Sequence, residues 1–106
     1  AQAWLSLIDS GNYSGSWNEA SIYFRGAVTE QSWSASMEGF RKPLGRLVSR
    51  KIVKTQESSS LPGAPDGRYV VMSFKTAFKQ KKSAIETVTF MFENDGRWRA
   101  AGYFIK

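Results

Sequence analysis

The chain has 106 residues, 15 of them basic and nine acidic, with no cysteine and no histidine, for a net charge of +6. That length suits one domain over residues 1–106, large enough to bury a core without staples. The missing cysteines exclude a disulfide framework, a thiolate zinc site and a cysteine nucleophile, and the missing histidines exclude serine–histidine hydrolysis and histidine-based zinc or nuclease chemistry.

Helical spacing opens the chain. Trp4, Leu7 and Ile8 recur at i, i+3 and i+4, and Gly11 ends that first short helix. Tyr13, Trp17, Ala20, Phe24 and Val28 follow at steps of four, three, four and four, an apolar stripe that Gly15 and Gly26 are expected to divide. Thr29 reads as an N-cap with Glu30 in the first turn, where negative charge suits the helix dipole. Trp33, Met37 and Phe40 form the buried stripe expected of that helix, with Arg41 and Lys42 in its last turn and Pro43 and Gly45 ending it.

Strand patterns take over at Arg46. Residues 46–57 are rich in β-branched and basic side chains, and the turn-forming segment Ser58–Gly67 separates them from an alternating run, Tyr69–Phe78. Ile85–Glu93 and Trp98–Ile105 complete four strands. A three-residue loop at Asn94-Asp95-Gly96, with Gly96 left-handed, pairs Glu93 with Arg97 and Phe92 with Trp98. It gathers Phe92, Phe90, Val88, Trp98, Ala100, Gly102 and Phe104 on one face, whereas a two-residue turn mixes charged and apolar residues on both. A five-residue connection, Lys79–Ser83, then sets Phe74 opposite Val88 and Thr76 opposite Glu86. The helices must cover the aromatic face, since no other apolar surface is available. The fold expected is an α+β roll: N-terminal helices packed on a curved four-stranded antiparallel meander.

Charge is unevenly placed, with a balance of −3 over residues 1–40 and +9 over residues 41–106. Such asymmetry permits an anionic partner without identifying one. No apolar run is long enough to span a bilayer. The segment PGAPDG lacks the lysine and hydroxyl residue of a phosphate cradle, and the scattered carboxylates show no calcium or paired-carboxylate spacing. No metal and no cofactor are expected.

The ordered blocks WLSLIDSGNYSGSW, FRKPLGRLVSRK, SLPGAPDGRYVVMSFKT, SAIETVTF and DGRWRAAGYFIK resemble a bacterial domain of unknown function, number 4019 in that series, over nearly the whole chain. The resemblance implies a small periplasmic or secreted protein and a nuclear-transport-factor-2-like, cystatin-like roll. It supplies no site.

Three groups of residues are candidates. Glu86 falls on the aromatic face, where desolvation would raise its pKa and fit it for general-base work as in isomerases of that superfold. The preferred alternative is an ion pair with Arg25 or Arg41. Trp17, Trp33, Phe74, Phe90, Trp98 and Phe104, with Thr76 and Glu86, could line a pocket for an apolar ligand, although buried aromatics are ordinary core material. Arg46, Arg50, Lys51, Lys54, Lys75, Lys79, Lys81 and Lys82 form a basic surface that suits nucleic acid, lipid headgroups or anionic polymer. The lack of interleaved aromatics argues against specific nucleic-acid binding. Protection of a sheet edge, or solubility, explains the same charges. The reading favoured is an exported, non-catalytic module for a small apolar ligand or protein partner, with a homodimer through the sheet allowed. The alternatives are a small isomerase or dehydratase with Glu86 as base and a tyrosine as acid, and a basic accessory protein for an anionic polymer or surface.

Overall fold

Four short helices precede four strands in the computed structural model, which describes all of residues 1–106: α1 (Gln2–Asp9), α2 (Tyr13–Asn18), α3 (Ile22–Ala27), α4 (Glu30–Phe40), β1 (Leu47–Ser58), β2 (Tyr69–Phe78), β3 (Lys81–Phe92) and β4 (Trp98–Ile105). Side-chain caps set the helix starts. Asn12 accepts from the Gly15 amide, Ser21 from that of Phe24 and Thr29 from that of Ser32, each cap contributing about 1 kcal/mol. The apolar stripe is therefore divided at Ser21, where a new helix is capped. Gly15 and Gly26, expected to break it, lie inside α2 and α3.

The sheet is a single antiparallel layer in the order β1-β2-β3-β4. Phe92 pairs with Trp98 and the Glu93 amide donates to the Arg97 carbonyl, which closes the three-residue loop with Gly96 at φ +83°. Further along, the ladder departs from a plain hairpin. Phe90 pairs with Ala100 but Thr89 with Gly102, so Ala101 is an inserted residue. A bulge of one residue exchanges the faces beyond it. Tyr103 and Ile105 turn inward, and Gly102 and Phe104, expected on the buried face, turn outward. Phe104 is 57% exposed.

Between β2 and β3 the register is shifted by two residues from the expected one. Phe74 pairs with Glu86, Met72 with Val88 and Thr76 with Ala84. β3 begins at Lys81, and Phe78 pairs with Lys81 across a tight turn, in place of the five-residue connection. A shift of two preserves the face, so Phe74, Thr76 and Glu86 remain buried.

The helices lie on the inner face. Trp4, Leu5, Ile8, Phe24, Trp33 and Met37 meet Phe74, Val88, Phe90, Ala100 and Tyr103 in one cluster. Each large apolar side chain withdrawn from water contributes about 1.5–3 kcal/mol. Ser16 is buried at the centre of this packing because two indoles need it: its carbonyl accepts from Trp4 Nε1 and its Oγ from Trp33 Nε1, each at 2.9 Å. Phe40, expected in the buried stripe of α4, is 74% exposed. From Lys51 to Glu57 every residue of β1 is exposed, so the helices leave much of that edge strand uncovered.

Candidate functional site

Six elements contribute to a cluster built around Glu86 and Arg50. Its Oε1 accepts from Arg50 Nε and from Thr76 Oγ1, both at 2.7 Å, and its Oε2 from Arg50 Nη2 at 3.0 Å and from the Tyr103 hydroxyl. The far side of the Arg50 guanidinium reaches Asp9, with Nη1 2.8 Å from Oδ2 and Nη2 3.0 Å from Oδ1. Arg41, in the C-cap of α4, adds Nη2 at 3.2 Å from Asp9 Oδ1, donates Nη1 to the Gly45 carbonyl at 2.6 Å and lies over the Phe78 ring. Two carboxylates thus face two guanidiniums, a cluster with no net charge joining α1, the end of α4 and all four strands.

This arrangement answers the question raised by a carboxylate on an aromatic face. Glu86 is fully buried and its two oxygens take four donors. An oxygen so occupied has no open lone pair with which to take a substrate proton. Its partner is Arg50, neither Arg25 nor Arg41. Arg25 instead donates to the Ala20 carbonyl. Arg50, read from sequence as part of a basic surface, is 5% exposed at its side chain. Burial acts to lower its pKa, but hydrogen bonds to Asp9 and Glu86 outweigh that and hold the guanidinium above its ordinary value. Burial first, then the neighbouring Glu86 charge, pushes the Tyr103 phenol well above the usual tyrosine range.

Tyr103 has a second role. Its ring forms part of the wall of a groove between α3, α4 and β4, with a volume of about 670 Å³. Phe24, Val28, Trp33, Met37 and Phe40 line the helical side, and Gly102, Phe104 and Ile105 the strand side. Lys81 and Lys106 also line it, and neither forms an ion pair. The groove is open, largely apolar and cationic at its rim.

Of the residues expected to line a pocket, only Trp33 and Phe104 reach this groove. Trp98 lines a separate hollow of about 560 Å³ beside Trp4 and Leu7, and packs edge-on against Phe92 with ring centres 5.1 Å apart. Phe90, buried in the core, also borders that hollow. Phe74 and Thr76 are buried beneath the helices, and Trp17 donates its indole N–H to the Val28 carbonyl at 2.8 Å. The pocket set is thus dispersed over three places. Lys51, Lys54, Lys75, Lys79, Lys82 and Arg46 are exposed, as read, while Lys81 is half-buried in the groove wall.

Met37, Phe40, Tyr103 and Ile105 were missed as groove residues. The first two were visible in the α4 periodicity, but the last two depend on the bulge at Ala101. No three His, Cys, Asp or Glu side chains come together where they could hold a metal ion, and no helix is long and apolar enough to cross a membrane. No curated protein matches the chain. A family model described as Protein of unknown function (DUF4019) matches residues 1–103, and the chain belongs to that family.

Proposed function

We propose that the protein is an exported, non-catalytic binding module that takes an apolar molecule bearing a negative charge into the groove between α4 and β4. The observation that carries this reading is the pairing of an apolar wall with two lysines that have no carboxylate partner. The volume falls within the roughly 300–1,000 Å³ typical of small-molecule sites. An alkyl chain laid along Met37, Phe40 and Ile105 would lose its water, and a carboxylate at its end would meet Lys81 and Lys106. The reading is of a cystatin-like roll whose sheet and helices together form the binding surface. Export rests on the family resemblance, and fractionation of the native host tests it.

Glu86 is not proposed as a general base, since its lone pairs are occupied. The binding experiment is a calorimetric titration of dodecanoate, with dodecanol as the uncharged comparison. Trp33, in the groove wall, gives a fluorescence readout. Saturable dodecanoate binding that weakens in Lys81→Gln and is weaker still for dodecanol is expected. Equal binding of acid and alcohol would remove the lysine from the reading, and no binding of either would overturn it.

A further inference from the structure

The side of the sheet away from the helices carries a charge pattern that neither folding nor edge protection accounts for. Lys51 on β1 pairs directly with Lys75 on β2, and Lys54 pairs with Ser73 one step along the same face. Alternation confirms the side: Lys51 follows buried Arg50, and Lys75 lies between buried Phe74 and Thr76. Side chains directly opposite across an antiparallel pair are about 5 Å apart, and like charges there are destabilising. Charges on β1 could protect an edge, but β2 is an interior strand, hydrogen-bonded on both sides. None of the three lysines forms an ion pair with a carboxylate.

Apolar side chains stand among these charges. Lys75 pairs on its other side with Ile85, 40% exposed, and the next row runs from Ser73 through Thr87 to Phe104, 57% exposed. We infer that this outer face docks on the surface of an anionic lipid bilayer, with Lys51, Lys54 and Lys75 against the headgroups and Ile85 and Phe104 entering the interface. Charge complementarity favours an anionic surface: lysines near such a surface attract it, and their aliphatic stems can lie along apolar neighbours. The broad sheet and its exposed aliphatic residue favour a bilayer over a single nucleic-acid strand, which needs successive aromatic platforms where this face offers Phe104 alone.

Sedimentation with phosphatidylcholine vesicles, with and without one-quarter phosphatidylglycerol, tests the inference on the full chain. Binding is expected to the anionic vesicles only, and to be lost as salt is raised. Lys51→Gln, Lys54→Gln and Lys75→Gln together should weaken it roughly 100-fold, from about fivefold per lysine. Lys79→Gln, Lys82→Gln and Arg97→Gln together, with the same change in net charge, should weaken it far less. Ile85→Ser, at an exposed position outside the groove, provides an independent variant and should also weaken binding. Lys51→Gln alone should melt no lower than the wild type, which separates lost binding from lost folding. No binding to anionic vesicles, equal loss in both triple variants, or equal binding to neutral vesicles would overturn the inference. Duplex DNA binding that the first triple variant abolishes, without vesicle binding, would assign the face to a polyanion and overturn it equally. The readout is vesicle partition, so failure here leaves the groove reading standing.

Discussion

Arg50 and Glu86 meet at two points, Nε to Oε1 at 2.7 Å and Nη2 to Oε2 at 3.0 Å, with the arginine side chain 5% exposed and the glutamate fully buried. A two-point contact of this kind fixes the planes of both groups. Because Asp9 occupies the opposite side of the same guanidinium, β1 is tied to β3 and to α1 through one side chain. Buried ion pairs are weak stabilisers compared with well-packed apolar residues, but removing one partner leaves the other charged and desolvated. The cluster is therefore best understood as a device that sets how the helices and the uncovered β1 strand sit on the sheet.

Glu86→Gln should destabilise by about 3 kcal/mol. The amide nitrogen cannot accept from Arg50, Thr76 or Tyr103, so donors are left facing a donor. The double variant Arg50→Met/Glu86→Leu should lose less than the sum of Arg50→Met and Glu86→Leu, because neither charge is stranded by the other's removal. Urea titrations of the four proteins would check this, and simple additivity would show the contact to be incidental.

Tyr103 gives the cluster a signature at high pH. Its folded phenol is held above the ordinary value of 10.0, whereas the unfolded phenol ionises near that value. The contribution is therefore fully present below about pH 10 and falls as pH rises further, by about 1.4 kcal/mol per pH unit. Tyr103→Phe should destabilise at pH 7, since Glu86 loses a donor, and its deficit against the wild type should shrink above pH 10. Tyr13 and Tyr69 are also raised by burial and shift both proteins in the same direction. Denaturation curves at pH 7, 10 and 11 give the difference, and a constant deficit would contradict the assignment.

Much of this was legible from the residues and some was not. Alternation located β2 and β4 with their observed bounds, and the need to bury Phe92 with Trp98 identified the hairpin loop. The two-residue slip between β2 and β3 escaped because it leaves every residue on the same face, so no hydrophobic pattern distinguishes the alternatives. The bulge at Ala101 escaped for a different reason: it exchanges Tyr103 for Phe104, two aromatics that serve equally well as a buried residue in a pattern. Only the Tyr103 hydroxyl, able to serve Glu86, separates them. Arg50 was hidden among the seven other cations of the basic set because charge alone does not reveal which one turns inward. Phe40 was read as buried from its spacing with Trp33 and Met37, yet it lies at the end of α4, where the helix no longer faces core.

Gly96 tests the loop by its backbone alone. It sits at φ +83°, and a Cβ added there would have no atom within 4 Å beyond its chain neighbours. Gly96→Val should therefore destabilise by roughly 1–2 kcal/mol through the left-handed backbone, and Gly96→Asn by less, since asparagine tolerates that conformation better. Thermal melts of the two variants suffice. Equal loss in both would point to something other than the turn.

The groove makes its own contrast within one helix. Met37 and Phe40 both line it, but Met37 is 5% exposed and also belongs to the core, whereas Phe40 is 74% exposed. Met37→Ala should cost about 2–5 kcal/mol, because it removes buried atoms and leaves a space that the surrounding core fills only in part. Phe40→Ser should stay within about 0.5 kcal/mol of the wild type, as exposed positions without special contacts do. Its effect belongs to binding: dodecanoate affinity should fall severalfold while the melting temperature holds. A chain laid against α4 would lose one apolar wall, and the water released from that wall would no longer favour binding. Measured together, calorimetry and melts on the two variants separate a groove that exists for a ligand from one that is simply where the core ends. If Phe40→Ser instead unfolds the protein while binding is unchanged in Met37→Ala, Phe40 is a structural residue and the ligand lies elsewhere.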